Sequence, residues 1–360
     1  MCVFSPRVVC IAAASAISGC LLAPAQPISH TIATGQQPMA VGVNEAAHKA
    51  YVVNHNSSSV TVIDGRTRAA ITAVKTGAGP EGIGINPVTN RIYVANAGDA
   101  SVTVIDGATD TVAATVHTGA YPQAVAVNTT TNKIYVANNS GHSVTVIDGA
   151  TNGTITVRVG QGPRAIVLNP ATNKIYTANY GSKDATEIDG ATNATAFLPT
   201  GKHPWALALD ARANRIYVAN EGVATVSILD GATSAVRNLG AGEIPFAVAV
   251  NPVTNRAYVL SYAGNTMAVI DGATGSVIHT VALATHPSAI AVNSRTNRIY
   301  VANQSAASVL VLDGATNRPI ATVNAGAIPY AMAVDTAAGQ VYVANFNGDS
   351  VTVIDDPAAH

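Results

Sequence analysis

The stretch Lys133-Ile-Tyr-Val-Ala-Asn138, Asn-Ser-Gly-His142, Ser143-Val-Thr-Val-Ile-Asp148 sets two β-rich runs on either side of a turn cluster. Outward from it, Tyr121-Pro-Gln-Ala-Val-Ala-Val-Asn128 precedes and Thr154-Ile-Thr-Val-Arg-Val159 follows, each across another turn. The unit is therefore four short strands, A to D. Tyr-Val-Ala-Asn recurs at 93–96, 135–138, 217–220, 300–303 and 342–345, and degenerate copies start at Tyr51, Tyr176 and Tyr258. The repeat tyrosines lie 41 or 42 residues apart. A fixed period of roughly 40–45 residues built from strands marks a β-propeller with one four-stranded blade per repeat. The fold class is all-β: eight blades of four antiparallel strands.

The ends of the chain predict how the ring closes. The eighth copy holds strands A, B and C and then runs out, while Ser29-His-Thr-Ile-Ala-Thr-Gly35 at the other end resembles Thr115-Val-His-Thr-Gly119 of a D strand. The N-terminal strand should complete the last blade and remove the open edge. Strand A carries small residues, as in Ala124-Val-Ala-Val127, which suits crowding around a central axis. Strands B and C are apolar on both faces, as expected where blades pack face to face, and the repeat tyrosines should fill the space between blades. An Asp-Gly step ends strand C in seven copies, a tight-turn signal. A basic residue opens strand B at Lys49, Arg91, Lys133, Lys174, Arg215, Arg256 and Arg298, and is expected to pair with the Asp of its own blade. Glu187 replaces a Val of strand C, which points to a partly wet fourth blade or to a partner such as Lys183.

A net charge of −1 argues against a nucleic-acid partner. The three cysteines stand at 2, 10 and 20, before the first repeat, so the body holds no cysteine framework. Residues 1–25 read as a signal peptide: Arg7 supplies the positive end, and Val8 to Ile17 an apolar stretch too short to span a bilayer. Ile17-Ser-Gly-Cys20 resembles a lipobox, with lipidation of Cys20 expected; cleavage after Ala23-Pro-Ala25 is the competing reading. Residues 27–356 form a single propeller domain. The expected localisation is exported: lipid-anchored in the cell envelope, or secreted.

Function should lie where the repeats disagree. The A–B and C–D turns on one face of the disc are nearly invariant, as in Asn86-Pro-Val-Thr-Asn-Arg91 and Asn251-Pro-Val-Thr-Asn-Arg256. On the other face three positions per blade vary: the residue before the Pro that starts strand A, the residue after that Pro, and the residue after strand B. Apart from Phe4 and the repeat tyrosines, the aromatics are Tyr121, Tyr180, Phe197, Trp205, Phe246, Tyr262, Tyr330 and Phe346. All but Phe197 occupy these positions. Aromatic and Arg side chains around a concave mouth have the composition of a binding site; the competing reading is an aromatic plug. The candidate ligand-binding residues are Glu81, Tyr121, Gln123, Arg164, Tyr180, His203, Trp205, Phe246, Tyr262, His286, Tyr330 and Phe346. His203 and His286 stand two blades apart, too far for one ion, so no metal site is assigned. There is no Cys-x-x-Cys-His, Gly-x-Ser-x-Gly or His-Glu-x-x-His motif, and no catalytic residue or cofactor is assigned.

These motifs resemble the YVTN-repeat family of bacterial and archaeal β-propellers over about residues 29–355, with Ala usually in place of the family's Thr. The resemblance implies a secreted or surface-layer-like protein and offers seven blades as the alternative count. The expected function is a non-enzymatic envelope binding propeller whose partner is a glycan, a peptide or an envelope protein, touching the membrane only through a lipid anchor. The alternatives are a lactonase-like hydrolase or lyase at the channel mouth, drawing its base from Glu81, Glu221, His55, His203 or His286, and a passive surface-layer component.

Overall fold

The structure, a computed structural model, describes residues 27–356. The lipobox and Cys20 lie outside the described residues. The described chain forms thirty-two strands and one short 3-10 turn, Glu45–Ala47. The strands make eight four-stranded antiparallel sheets, so the count is eight blades and not seven. In blade 3, strand A is Pro122–Asn128, B is Lys133–Asn138, C is Ser143–Asp148 and D is Thr154–Arg158. The N-terminal strand Ile28–Ala33 is the outer strand of blade 8, paired antiparallel with Ser350–Asp355 from Ile28 opposite Asp355 to Ala33 opposite Ser350. Closure by the N-terminal strand is thus as the repeat comparison predicts.

The core sits between blades. The eight repeat tyrosines are among the largest fully buried side chains. Each packs across a seam: Tyr51 with Ile92 and Val94 of the next blade, Tyr135 with Ile175 and Ile188, and Tyr342 with Ala50, Val52 and Ile63 where the ring closes. Burial pushes all eight tyrosine hydroxyls above their usual range. Tyr342 Oη donates to Gln340 Oε1 at 2.8 Å.

The conserved polar positions stitch the scaffold. The Asn that closes strand B reaches into strand C: Asn138 Nδ2 donates to Ser143 Oγ and Thr145 Oγ1 at 3.1 and 2.9 Å, as do Asn54, Asn96 and Asn345 to their own Ser and Thr. At the turn face, the Asn ending strand A bonds the A–B turn of the following blade. Asn44 to Asn90, Asn86 to Asn132, Asn128 to Asn173, Asn169 to Asn214 and Asn251 to Asn297 span 2.6 to 2.9 Å. The acceptors sit at positive φ, 51° at Asn132, a conformation Asn tolerates. The Asp-Gly step fits against the same turn. Gly149 N–H donates to Asn132 O at 2.8 Å, and a Cβ on Gly149 would collide with the Asn132 side chain. Blade 8 inverts this arrangement: Gly339 takes the Asn position (φ 67°) and frees room for Asp356 where the other blades have Gly. Asp356 is buried and meets Arg298 Nη1 and Thr296 Oγ1, each at 2.6 Å.

Two charge expectations are corrected. Arg91 does pair with Asp106 of its own blade, at 3.0 Å. Most of the other strand-B cations reach the next blade instead: Lys49 Nζ to Asp110 Oδ2 at 2.7 Å, Lys133 Nζ to Gly190 O at 3.1 Å, Arg256 Nη1 to Gly314 O at 2.8 Å, and Arg298 to Asp356. The start of strand B faces the neighbouring C–D turn, so the long side chains tie blades together. Nor is blade 4 wet at Glu187, whose partner is not Lys183: Glu187 is buried and its Oε1 meets Lys174 Nζ at 2.6 Å.

Candidate functional site

The variable positions converge through one repeated backbone device. In every blade the register of strands A and B slips just after the Pro that opens strand A, leaving one extra residue. Those residues are Met39, Glu81, Gln123, Arg164, Trp205, Phe246, Ser288 and Tyr330. A β-bulge bends the strand and re-aims one side chain, and here it does so eight times around one mouth. The residue before the Pro has a left-handed backbone, and its carbonyl accepts from the residue after strand B. Glu221 N to His203 O, Tyr262 N to Ile244 O and Gln304 N to His286 O are all 2.9 Å. One backbone bond thus locks the three variable positions of a blade side by side. Ile244 and Ile328 hold φ of 52° and 54°, which β-branched residues rarely adopt.

Six of the predicted residues form one unbroken run of rings across blades 4 to 7. His203 stacks on Tyr180 with centroids 4.5 Å apart, and Tyr180 meets Trp205 edge-on at 5.9 Å. Trp205 lies 5.0 Å from Phe246, Phe246 5.3 Å from Tyr262, and Tyr262 stacks on His286 at 4.8 Å. The guanidinium carbon of Arg164 lies 3.3 Å from the Trp205 ring centroid. Arg164, Trp205, Phe246, Tyr262 and Tyr330 line a cleft of about 380 Å³ with Glu221, Ile244, Ser288 and Gln304. That volume lies within the roughly 300–1,000 Å³ of small-molecule sites. The rings are partly exposed, and His286 at the end of the run is exposed. They wall the cleft from one side.

The remaining predicted residues lie outside the run of rings, although Tyr330 borders the cleft. Tyr330 packs on Phe346 at 5.7 Å, and Phe346 borders a separate shallow depression with Gln36, Gln37 and Asn347. Across the mouth, Tyr121 donates to Glu81 Oε1 at 2.7 Å, and this bond, with burial, pushes the Tyr121 hydroxyl up to about 12. Gln123 is half buried beside them. Arg164 joins the two sides electrostatically: burial lowers its pKa, while Tyr330, Glu81, Glu221 and Tyr121 oppose that shift. Burial raises the Tyr180 hydroxyl, and the Glu221 carboxylate beside it raises it further.

Glu221, Ile244, Ser288 and Gln304 were not assigned to ligand binding on sequence, although each occupies a variable position. The Pro that opens strand A was the available signal for the bulge at Ser288 and for the backbone bond that sets Glu221 and Gln304 beside it in their blades. The two histidines stack on tyrosines in different blades, and among the described residues no three His, Cys, Asp or Glu side chains cluster as metal ligands.

A repeated blade, a ring closed by its own N-terminus and a mouth of bulge residues define a β-propeller with a candidate binding cleft. The chain belongs to the YNCE-like beta-propeller family, whose model matches residues 6–340. It is similar in structure to Kuenenia stuttgartiensis hydrazine synthase (TM-score 0.65, 16% identity, covering 91% of this chain and 98% of that one). It is also similar to the dihydro-heme d1 dehydrogenase NirN in complex with DHE (TM-score 0.74, 13% identity, covering 92% of this chain and 76% of that one). At such identities the likeness is one of fold. No curated protein matches the sequence.

Proposed function

We propose that this chain is a non-enzymatic binding propeller of the cell envelope, of the YVTN-repeat type, exported and anchored through a lipid on Cys20. One observation carries the binding reading: the unbroken run of six rings beside a partly buried Arg164, on the face where the repeats diverge most. Packing alone does not require large aromatics there, since other blades place Met39 or Ser288 at the equivalent bulge. The hydrolase reading would need a positioned base in the cleft. Glu221 is the acid that lines it, and both histidines are stacked away on tyrosines.

Trp205 is the chain's single tryptophan, so its emission reports occupancy of the cleft directly. Purified protein should bind members of a glycan and peptide array with a change in Trp205 emission. Trp205→Ala with Phe246→Ala should lose that binding while keeping the β-sheet circular dichroism. Binding that survives both substitutions would place the ligand elsewhere. Labelling with a palmitate analogue tests the anchor, and an unlabelled wild type would refute it.

A further inference from the structure

The polar groups around the cleft narrow the chemistry of its ligand. Arg164 lies over Trp205 and, among the described residues, makes no hydrogen bond to the protein. Its fork of donors is unspent. Glu221 lines the same cleft, its carboxylate beside the Tyr180 hydroxyl and its Oε2 buried. Gln304 accepts from Tyr262 Oη through Oε1 at 2.9 Å, which leaves its two N–H donors for a ligand. Unspent donors of Arg164 and Gln304 therefore stand with one carboxylate along an aromatic wall.

Charge signs decide among ligand classes. A carboxylate or phosphate arriving at Arg164 would also meet Glu81 and Glu221, the two carboxylates that already act on that guanidinium. A cation seeking the face of Trp205 would find Arg164 on it. A neutral ligand escapes both conflicts. It must still offer donors and acceptors together, and an apolar face for the rings. Vicinal hydroxyls on a ring do this, because each hydroxyl both donates and accepts, while the C–H face of the ring stacks on aromatics. We infer that the cleft between Arg164, Trp205, Phe246 and Gln304 takes a neutral saccharide unit, its hydroxyls shared between Arg164, Glu221 and Gln304. This rests on the binding reading above and deepens it.

The test is titration of Trp205 emission in the full-length protein with neutral oligosaccharides (N-acetylglucosamine and glucose oligomers), with cationic chitosan oligomers, with anionic oligogalacturonate, and with the peptides of the array. A saturable change with a neutral oligosaccharide is expected, at least about tenfold tighter than with either charged series. Arg164→Lys, which keeps the charge but loses the fork, and Gln304→Ala should each weaken it about tenfold, the scale of one lost hydrogen bond to a charged or buried group. Far-UV circular dichroism confirms folding of each variant. Tighter binding of a charged series, or no binding of any neutral oligosaccharide, overturns the inference. Binding of peptides alone overturns it and leaves the binding propeller standing; silence of Trp205 to every probe removes both.

Discussion

The two faces of the disc are built by the same strands and end in opposite chemistry. At the turn face polar groups are spent on one another: Asn86 bonds Asn132 across the blade seam, Asp148 accepts from the backbone of Ala150 and Thr151, and Arg298 holds Asp356. At the loop face the same repeat leaves rings partly exposed and Arg164 without a protein acceptor among the described residues. Repetition is kept where each blade must fit the next. It is abandoned at the bulges, where neighbouring blades meet through unlike side chains such as Trp205 against Phe246. The bonds that join blades and the candidate cleft thus lie at opposite ends of each blade.

The sharpest way to break that division is at closure. Deleting residues 28–33 removes the outer strand of blade 8 and uncovers the edge of Ser350–Asp355; loss of cooperative folding, or a Tm lower by more than about 10 °C, is expected in thermal denaturation. An unchanged Tm would refute closure by the N-terminus. Arg298→Ala removes the cation from buried Asp356 and should cost about 3–5 kcal/mol in denaturant unfolding. Tyr135→Ala, which opens the seam between blades 3 and 4, should cost a similar 3–5 kcal/mol or so. Asn86→Ala strips one inter-blade bond and two bonds to its own turn, and should cost about 2–3 kcal/mol, with Trp205 emission untouched. Trp205→Ala should remove the binding signal and leave the protein folded, at a cost of about 1–3 kcal/mol for the lost contacts with Tyr180, Phe246 and Arg164. If Trp205→Ala unfolds the protein, the mouth is a structural plug and the division of faces fails.

The gentlest probe is pH. Backbone N–H bonds hold Asp64, Asp106, Asp148, Asp189, Asp230, Asp271 and Asp313 below the usual 3.8. The unfolded chain binds those protons first, so their stabilisation is present above pH 3.8 and is lost as pH falls through the lowered values. The repeat tyrosines act in the opposite sense. Their folded pKa values are raised above 10.0, so their contribution is present below pH 10 and declines as the unfolded chain ionises above it. Tm should fall on both sides, and tyrosinate absorbance should appear together with unfolding. Ionisation of all tyrosines near pH 10 in the folded protein would contradict their burial at the seams.

Much of the fold was legible because it repeats. The 41- or 42-residue period, the Asp-Gly steps and the stray D strand at Ser29–Gly35 each report a local requirement, copied often enough to be recognised. The site was partly legible for the converse reason, since Trp205, Phe246 and Tyr262 stood out against a constant background. Gln304 and Ser288 did not, because a single polar residue in a loop carries no signal until its neighbours are known. The partner of Glu187 was misread for the same cause. Lys183 is nearer in sequence, but Lys174, on the adjoining strand, is within reach of the carboxylate.

By itself, then, the sequence determined the blade, its number and the closing strand, since these follow from backbone pattern and from a repeat that must tile a circle. Tertiary structure alone decided which variable residues meet: the six-ring run, the bulges that aim it and the placing of Arg164 on Trp205. Those contacts join residues of different blades, brought together by the curvature of the ring, and no local pattern encodes a curvature that only the closed set of blades possesses.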